Sequence, residues 1–248
     1  MNARVLVNGC DQQHIPAADR GVLYGDGLFE TIRFVRGAAP LWPRHIRRLH
    51  AGCLRLGLRG PDAGLLANEA AFVLDGADEA VVRITLTRGV GERGYAPSPQ
   101  AASTRIVAAH PLPVVAPDWY RRGIRVRSCG LRLAHQPRLA GIKHLNRLEQ
   151  VLARAEWDDA TIGEGLVCDI DGHVVGATAA NLFVVLDSRL VTPAVDRCGV
   201  AGVARAEVLA RREDVVVRQI EAEELMRADE IFLSSSVRGI VPVRALPG

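Results

Sequence analysis

Aromatic side chains are scarce in this chain: phenylalanine, tyrosine and tryptophan together make up 4% of its 248 residues. A nucleic-acid surface usually interleaves such rings with a dense basic patch. Here 31 basic residues face 28 acidic ones, and the arginines are spread along the chain. No nucleic-acid partner is expected, and the net charge of +3 suits a small anionic ligand. Long apolar runs are missing too. No stretch approaches the ~20 residues that cross a bilayer, and the opening MNARVLVNGCDQQ lacks the apolar core of a signal peptide. No membrane is expected. Cys10, Cys53, Cys129, Cys168 and Cys198 are odd in number and far apart, with no CxxC pair, so a disulfide framework is not expected. The seven histidines include no HExxH, and no Cys/His spacing suits a metal. Free thiols in a reducing cytoplasm account for these cysteines.

What the chain does have is 48% apolar and 24% charged residues, a globular profile with room for one large or two modest domains. RVLV at 4–7 reads as a strand closed by the Asn8-Gly9 turn, and GLFETIRFV as a second strand closed by Arg36-Gly37. Gly25 and Gly27, just before it, mark either a bulge or turn or a close backbone approach to a ligand. Pro43 opens a helix to about Leu56, and a second helix spans roughly Asp62 to Leu74. Arg44, Arg47, Arg48 and Arg55 lie on the first of these, with one able to turn inward. Strands AVVRITLTRG and STRIVAAH flank a long Gly/Pro loop, GVGERGYAPSPQ, of the kind that often carries function.

Three prolines between Pro111 and Pro117 read as an interdomain linker. The expected organisation is therefore mixed α/β: a small domain at 1–111, a linker at 112–117 and a larger domain at 118–248. In the second part, apolar residues at Ile142, Leu145, Leu148, Val151, Leu152 and Ala155 predict a helix with one buried face, with Lys143 at its start. Hairpins are expected around Asp171-Gly172 and Asp187-Ser188, and the stretch Gly199 to Arg205 is expected to lead into a helix to about Arg212.

Four pieces could carry chemistry. A lysine at the edge of an apolar face loses water, which lowers its pKa and lets it act as a nucleophile toward an aldehyde. The turn from Gly199 to Arg205 enters a helix whose first N–H groups can hold an anion, or it is an ordinary tight turn. Ser234, Ser235 and Ser236 offer hydroxyls, or satisfy their own turn. Arg48 offers a forked charged donor, or lies on the surface.

DRGVLYGDGLFETIRF, HIRRLH, LAGIKHLNRLEQVLAR, TAANLF, GVAGVAR and the SSS-to-VPV ending resemble the fold-type IV pyridoxal-phosphate enzymes over essentially the whole chain. That group holds branched-chain and D-amino-acid aminotransferases and 4-amino-4-deoxychorismate lyases. The lysine helix and the loop GERGY are most similar to the lyases. The resemblance implies pyridoxal 5'-phosphate as cofactor and a two-domain fold with the cofactor in the cleft, Lys143 coming from the larger domain and Arg48 from the smaller. It implies Lys143 as the residue that binds the cofactor aldehyde and moves protons. It implies Arg48 (Arg47 being the competitor), the N–H groups of Val203 and Ala204, and Ser235 as phosphate contacts. Ala179 and Val200 would pack on the two faces of the ring, with Asn181 beside them, and Thr31, Arg93 and Tyr95 would meet the substrate. A homodimer sharing the pocket is implied as well.

The implied reaction releases pyruvate from 4-amino-4-deoxychorismate and leaves 4-aminobenzoate, a step of folate biosynthesis. The alternatives are an aminotransferase of the same fold and a catalytically impaired cofactor-binding or scaffold protein. One position departs from the family pattern. The glutamate expected five residues before Asn181, where it pairs with the ring nitrogen, is Gly176 here. Thr178 shares its strand parity, and it or a water is the candidate substitute. The vacancy is expected to harm amino transfer more than the lyase reaction, which is helped by formation of an aromatic ring.

Overall fold

The computed structural model describes residues 4–98 and 101–246. The last two residues of the GVGERGYAPSPQ loop lie outside that range. The chain divides into two compact units, one of Met1–Pro113 with Ile142–Asn146, the other of Val114–Gly141 with Arg147–Gly248.

The first unit contains β1 (Val5–Val7), β2 (Cys10–Asp11), α1 (Arg20–Tyr24), β3 (Gly27–Val35), α2 (Trp42–Leu56), α3 (Ala63–Leu74), β4 (Glu79–Thr87) and β5 (Thr104–His110). Its antiparallel sheet runs in the order β2-β1-β5-β4-β3. Asn8 and Gly9 both take positive φ (52° and 85°), the geometry of a two-residue turn joining β1 to β2. Alternation along β3 turns Leu28, Glu30 and Ile32 one way and Phe29, Thr31 and Arg33 the other. Helix α2 packs on the Leu28 side: a Cβ on Gly52 would lie 2.8 Å from Leu28 Cδ1. Leu28, Ile32, Leu49, Leu66, Ile84 and Leu86 are each at most 2% exposed. Burying such a side chain stabilises by roughly 1.5–3 kcal/mol.

The second unit contains α4 (Asp118–Arg122), β6 (Ile124–Leu133), α5 (Leu148–Arg154), β7 (Ile162–Asp169), β8 (Val174–Ala177), β9 (Asn181–Leu186), β10 (Arg189–Pro193), α6 (Val203–Arg211), β11 (Val216–Arg218), a 3-10 helix (Ala222–Arg227), β12 (Glu230–Ser235) and β13 (Gly239–Ala245). Its mixed sheet is ordered β11-β10-β9-β12-β13-β6-β7-β8. One core cluster gathers Val126, Leu166, Leu182, Ile220 and Leu233. A second holds Cys129, Ala153, Trp157, Val167 and Val175. Asp187 and Ser188 both adopt positive φ in the β9–β10 turn, as Gly172 does between β7 and β8.

Three expectations about the lysine segment are corrected here. The helix begins at Leu148, so Lys143 lies in extended chain before it. The reason is the backbone hydrogen bonding. Phe29 N–H donates to Lys143 O (2.9 Å) and Leu145 N–H to Gly27 O (2.9 Å), which commits the segment to the free edge of β3. It therefore clusters with the first unit, whereas Lys143 was expected on the larger domain. The predicted apolar face is also not the buried one. Leu148, Val151 and Leu152 are 75%, 59% and 59% exposed, while Ala153 turns inward.

Candidate active site

In the first unit, Gly25 and Gly27 make room for the lysine segment. A Cβ on Gly27 would lie 2.3 Å from Leu86 O and 2.8 Å from Leu145 Cδ1, and one on Gly25 would lie 2.7 Å from Asn146 Oδ1. The close approach allowed by these glycines is therefore by the protein's own chain. His144 bridges to Leu28, which puts Lys143 beside Phe29 on the opposite face. Its Nζ lies 4.2 Å from the centroid of the Phe29 ring, and Arg83 Cζ is also 4.2 Å from that centroid. Burial holds the Arg83 guanidinium pKa below its usual value. The Phe29 ring thus holds both the lysine amine and the Arg83 guanidinium against it. Thr31 shares that face of β3.

Glu30 points the other way, into α2, and is 1% exposed. It accepts from Arg48 Nε (2.8 Å) and Nη2 (2.5 Å) and contacts His45 Nδ1 at 2.6 Å. Burial pushes its pKa up, but the hydrogen bonds from Arg48 and His45 outweigh that and hold it below the ordinary 4.5. An ionised Glu30 makes His45 Nδ1 the protonated ring nitrogen. Of the two competing arginines, Arg48 is the one directed inward, and Arg47 is exposed. Glu30 and His45 escaped the sequence reading. Both lie within motifs noted above, DRGVLYGDGLFETIRF and HIRRLH, but neither was given a role, and only the packing of α2 on β3 brings them to Arg48. Arg93 and Tyr95 lie exposed on the loop after β4.

In the second unit, Gly141 N–H donates to Gly199 O and Ala201 N–H to Gly141 O, both 3.0 Å, which pins the turn before α6. Helix α6 begins at Val203, and its N-cap Gly202 supplies no side-chain hydrogen bond. The first N–H groups, at Val203 and Ala204, are thus left for an anion. A Cβ on Gly202 would fall 2.0 Å from Asn181 Oδ1, so only glycine fits there. Asn181 is held in turn by its Nδ2 bond to Val200 O at 2.8 Å. Across the β9–β12 ladder, Asn181 pairs with Ser234. Ser234 is 1% exposed, and its Oγ has no hydrogen-bond partner among the described residues. Ser235, the expected phosphate contact, accepts the Arg238 N–H at 3.1 Å, so its oxygen serves the turn. A buried hydroxyl without a partner at Ser234 is the feature that the serine run did not single out. Val200 is partly buried and Ala179 exposed.

Gly176 sits on β8, where a Cβ would lie 3.1 Å from Ala180 O. Thr178 follows, and its hydroxyl donates a short hydrogen bond to Glu164 Oε1. Glu164 is 3% exposed and also accepts from Gly165 N–H (3.1 Å) and Arg238 Nη1 (3.3 Å). Asp169 is committed elsewhere. It takes His135 Nε2 (2.9 Å) and the N–H groups of Asp171 and His173 (3.1 and 2.9 Å), closing the β7–β8 hairpin. Cys198 lies within 4.8 Å of the His135 and Asp169 ligand atoms, a juxtaposition that linear spacing did not reveal.

The first unit holds an amine seated on a ring and an inward arginine on a buried carboxylate. The second holds an uncapped helix start and a buried hydroxyl, donors of the kind that suit an anion. The sequence matches the amino-transferase class IV family over residues 27–246. The chain belongs to that family. Class IV enzymes depend on pyridoxal phosphate. Among its relatives, the aminodeoxychorismate lyase of Vibrio harveyi is 36% identical over 244 residues, covering 97% of this chain and 90% of that protein. The D-alanine aminotransferase of Bacillus licheniformis is 26% identical over 258 residues, covering 99% and 89%. The crystal structure of 4-amino-4-deoxychorismate lyase from Pseudomonas aeruginosa superposes with a TM-score of 0.93 at 46% identity, covering 98% of this chain and 91% of that one.

Proposed function

We propose that this class IV protein is an aminodeoxychorismate lyase that uses pyridoxal 5'-phosphate to release pyruvate from 4-amino-4-deoxychorismate, leaving 4-aminobenzoate. The observation that carries the reading is the seat of Lys143, hydrogen-bonded through its backbone to β3 with its amine on the Phe29 ring. The choice of lyase over aminotransferase rests on similarity: 46% and 36% identity to the two lyases, against 26% to the D-alanine aminotransferase.

When bound, the cofactor supplies an aldehyde for an amine and a ring that accepts electrons. Lys143 would hold the aldehyde. Released by the 4-amino group of the substrate, its amine would take the proton from the carbon bearing that nitrogen. The same amine would return a proton as the enolpyruvyl group leaves. Arg48 and the N–H groups of Val203 and Ala204 would hold the phosphate, with Ser234 or Ser235 donating a hydroxyl. Glu30 orients Arg48. Val200 and Ala179 would confine the ring, with Asn181 fixing the Val200 turn. Thr31, Arg93 and Tyr95 would position the substrate anion.

The exposed triad Leu148, Val151 and Leu152 on α5 supports a homodimer, and free thiols at all five cysteines support a reducing, cytoplasmic location. Among the described residues no helix is long and apolar enough to cross a membrane. The decisive assay supplies purified protein with 4-amino-4-deoxychorismate and follows pyruvate and 4-aminobenzoate in equal amounts. Amino transfer to a 2-oxo acid without those products would establish the aminotransferase instead, and a yellow protein inert in both assays would establish a scaffold.

A further inference from the structure

We propose that Arg20 is the positioning residue for the loop that carries Arg93 and Tyr95. Its guanidinium ties down the loop backbone so that those two side chains are presented in one arrangement. The inference rests on the reading that Arg93 and Tyr95 hold the substrate anion. Arg20 is 4% exposed, and each of its three guanidinium nitrogens is used. Nη1 donates to Gly94 O at 2.8 Å, Nη2 to Tyr95 O at 2.9 Å, and Nε to Asp26 Oδ2 at 3.0 Å. Two parallel donors thus take the carbonyl oxygens of consecutive residues, a task for a planar fork that an ammonium group cannot reproduce.

Other contacts make the same connection. Arg20 Cζ lies 4.8 Å from the Tyr24 ring centroid, and the Tyr24 ring lies 5.4 Å from that of Tyr95. Tyr24 Oη accepts the Gly94 N–H at 3.4 Å. A Cβ on Gly91 would come within 2.9 Å of Arg20 Cδ, so the loop lies directly on the arginine stem. The base of the loop is secured by Arg20 N–H donating to Gly89 O at 2.8 Å and by the Asp19–Val90 bridge. Asp19 is itself buried and accepts the Thr87 hydroxyl and the Gly21 N–H.

The anchor has its own foundation. Asp26 also accepts from Arg88 Nε (2.7 Å) and Nη2 (3.1 Å). Arg88 donates in turn to Leu56 O (2.8 Å) and Gly57 O (3.0 Å) at the C-terminal end of α2, the helix that carries Arg48. A continuous run of charged hydrogen bonds therefore joins the end of that helix to the loop backbone. Tyr95 is 85% exposed, so little in its own packing would fix it without this clamp. Holding a binding loop in its bound arrangement removes the entropy of ordering it when substrate arrives.

The test compares Arg20→Lys with Arg93→Ala in the cofactor-loaded protein, reading KM, kcat and amide exchange of residues 89–98. Arg20→Lys is expected to speed exchange in that peptide and raise KM for aminodeoxychorismate by about tenfold, with kcat within about twofold and the cofactor spectrum unchanged. Combined with Arg93→Ala it should raise KM by less than it does in the parent, because Arg93 is one of the two side chains through which it acts. If Arg93→Ala raises KM while Arg20→Lys alters neither exchange nor KM, the positioning role is overturned and the substrate role of the loop stands. If Arg93→Ala leaves KM unchanged, the substrate role fails and the proposal with it. Should Arg20→Lys not fold, Tyr24→Phe, which removes only the acceptor of the Gly94 N–H, must raise exchange and KM in the same direction or the proposal falls.

Discussion

The carboxylate of Glu30 on β3 grips the Nε and Nη2 edge of Arg48 on α2, with His45 on the same carboxylate, in a site closed to solvent. Removing the carboxylate takes the charge partner away from Arg48 and the buried acceptor away from His45. Glu30→Ala is therefore expected to cost about 3–5 kcal/mol, read as a lower denaturation midpoint. It should also weaken cofactor retention. A midpoint within error of the parent would refute the pairing. The pH dependence has a defined sign. The folded-state pKa of Glu30 lies below the ordinary 4.5, so its contribution is present above that value and lost as the pH falls through the folded one. Acid denaturation of Glu30→Gln should consequently be shallower below pH 4.5 than that of the parent.

Lys143→Ala should lower the lyase rate by about a thousandfold, the scale on which a placed acid–base group acts. Borohydride treatment of the loaded parent should leave a stable cofactor label on the peptide containing residue 143. Label on any other lysine would reassign the catalyst.

Thr178 spends its only proton on Glu164. Its oxygen can therefore only accept further hydrogen bonds, which would favour a protonated ring nitrogen on the cofactor. Thr178→Val is expected to lower the protonated fraction, seen in the nitrogen NMR shift of ring-labelled cofactor. Amino transfer should suffer more than pyruvate release. An unchanged shift would remove Thr178 as the substitute for the carboxylate absent at Gly176.

The cysteines should differ sharply in reactivity. Burial pushes the Cys53 and Cys129 thiols up to about 11 and Cys198 to about 12, whereas Cys10 is exposed. Since the thiolate is the reacting form, iodoacetamide near pH 8 should label Cys10 first. Mass spectrometry of the labelled peptides checks this, and early labelling of Cys198 would contradict the burial.

Gly202→Ala must displace Asn181 or the start of α6, because the new methyl would lie 2.0 Å from Asn181 Oδ1. A cost of about 1–3 kcal/mol is expected for such overpacking, together with weaker phosphate binding. Full retention of the cofactor in that variant would count against the α6 start as the phosphate site.

Much was legible before any coordinates. Turns at Asn8-Gly9 and Asp187-Ser188 follow from residues that tolerate positive φ, α2 from its apolar side with Pro43 at its start, and α3 was placed at roughly Asp62 to Leu74. The lysine segment misled for a definite reason. Its spacing is helical from Ile142 onward, yet the free edge of β3 offers Lys143 O and Leu145 N–H partners that a helix could not supply at once. Apolar spacing also could not say which face of α5 turns inward, which is the one that carries Ala153 to Trp157 and Val167.

By itself, the order of residues determined the family, the secondary elements with strong local signals, and the kinds of side chain available for the chemistry. Those properties depend on nearest neighbours, turn sterics and motifs read along the chain. The tertiary structure alone decided that Arg48 and not Arg47 turns inward, that Glu30 and His45 hold it, and that Arg20 clamps a loop more than 70 residues away. Such contacts join residues remote in sequence, and only the packing of helix on sheet and of strand beside strand brings them within bonding distance.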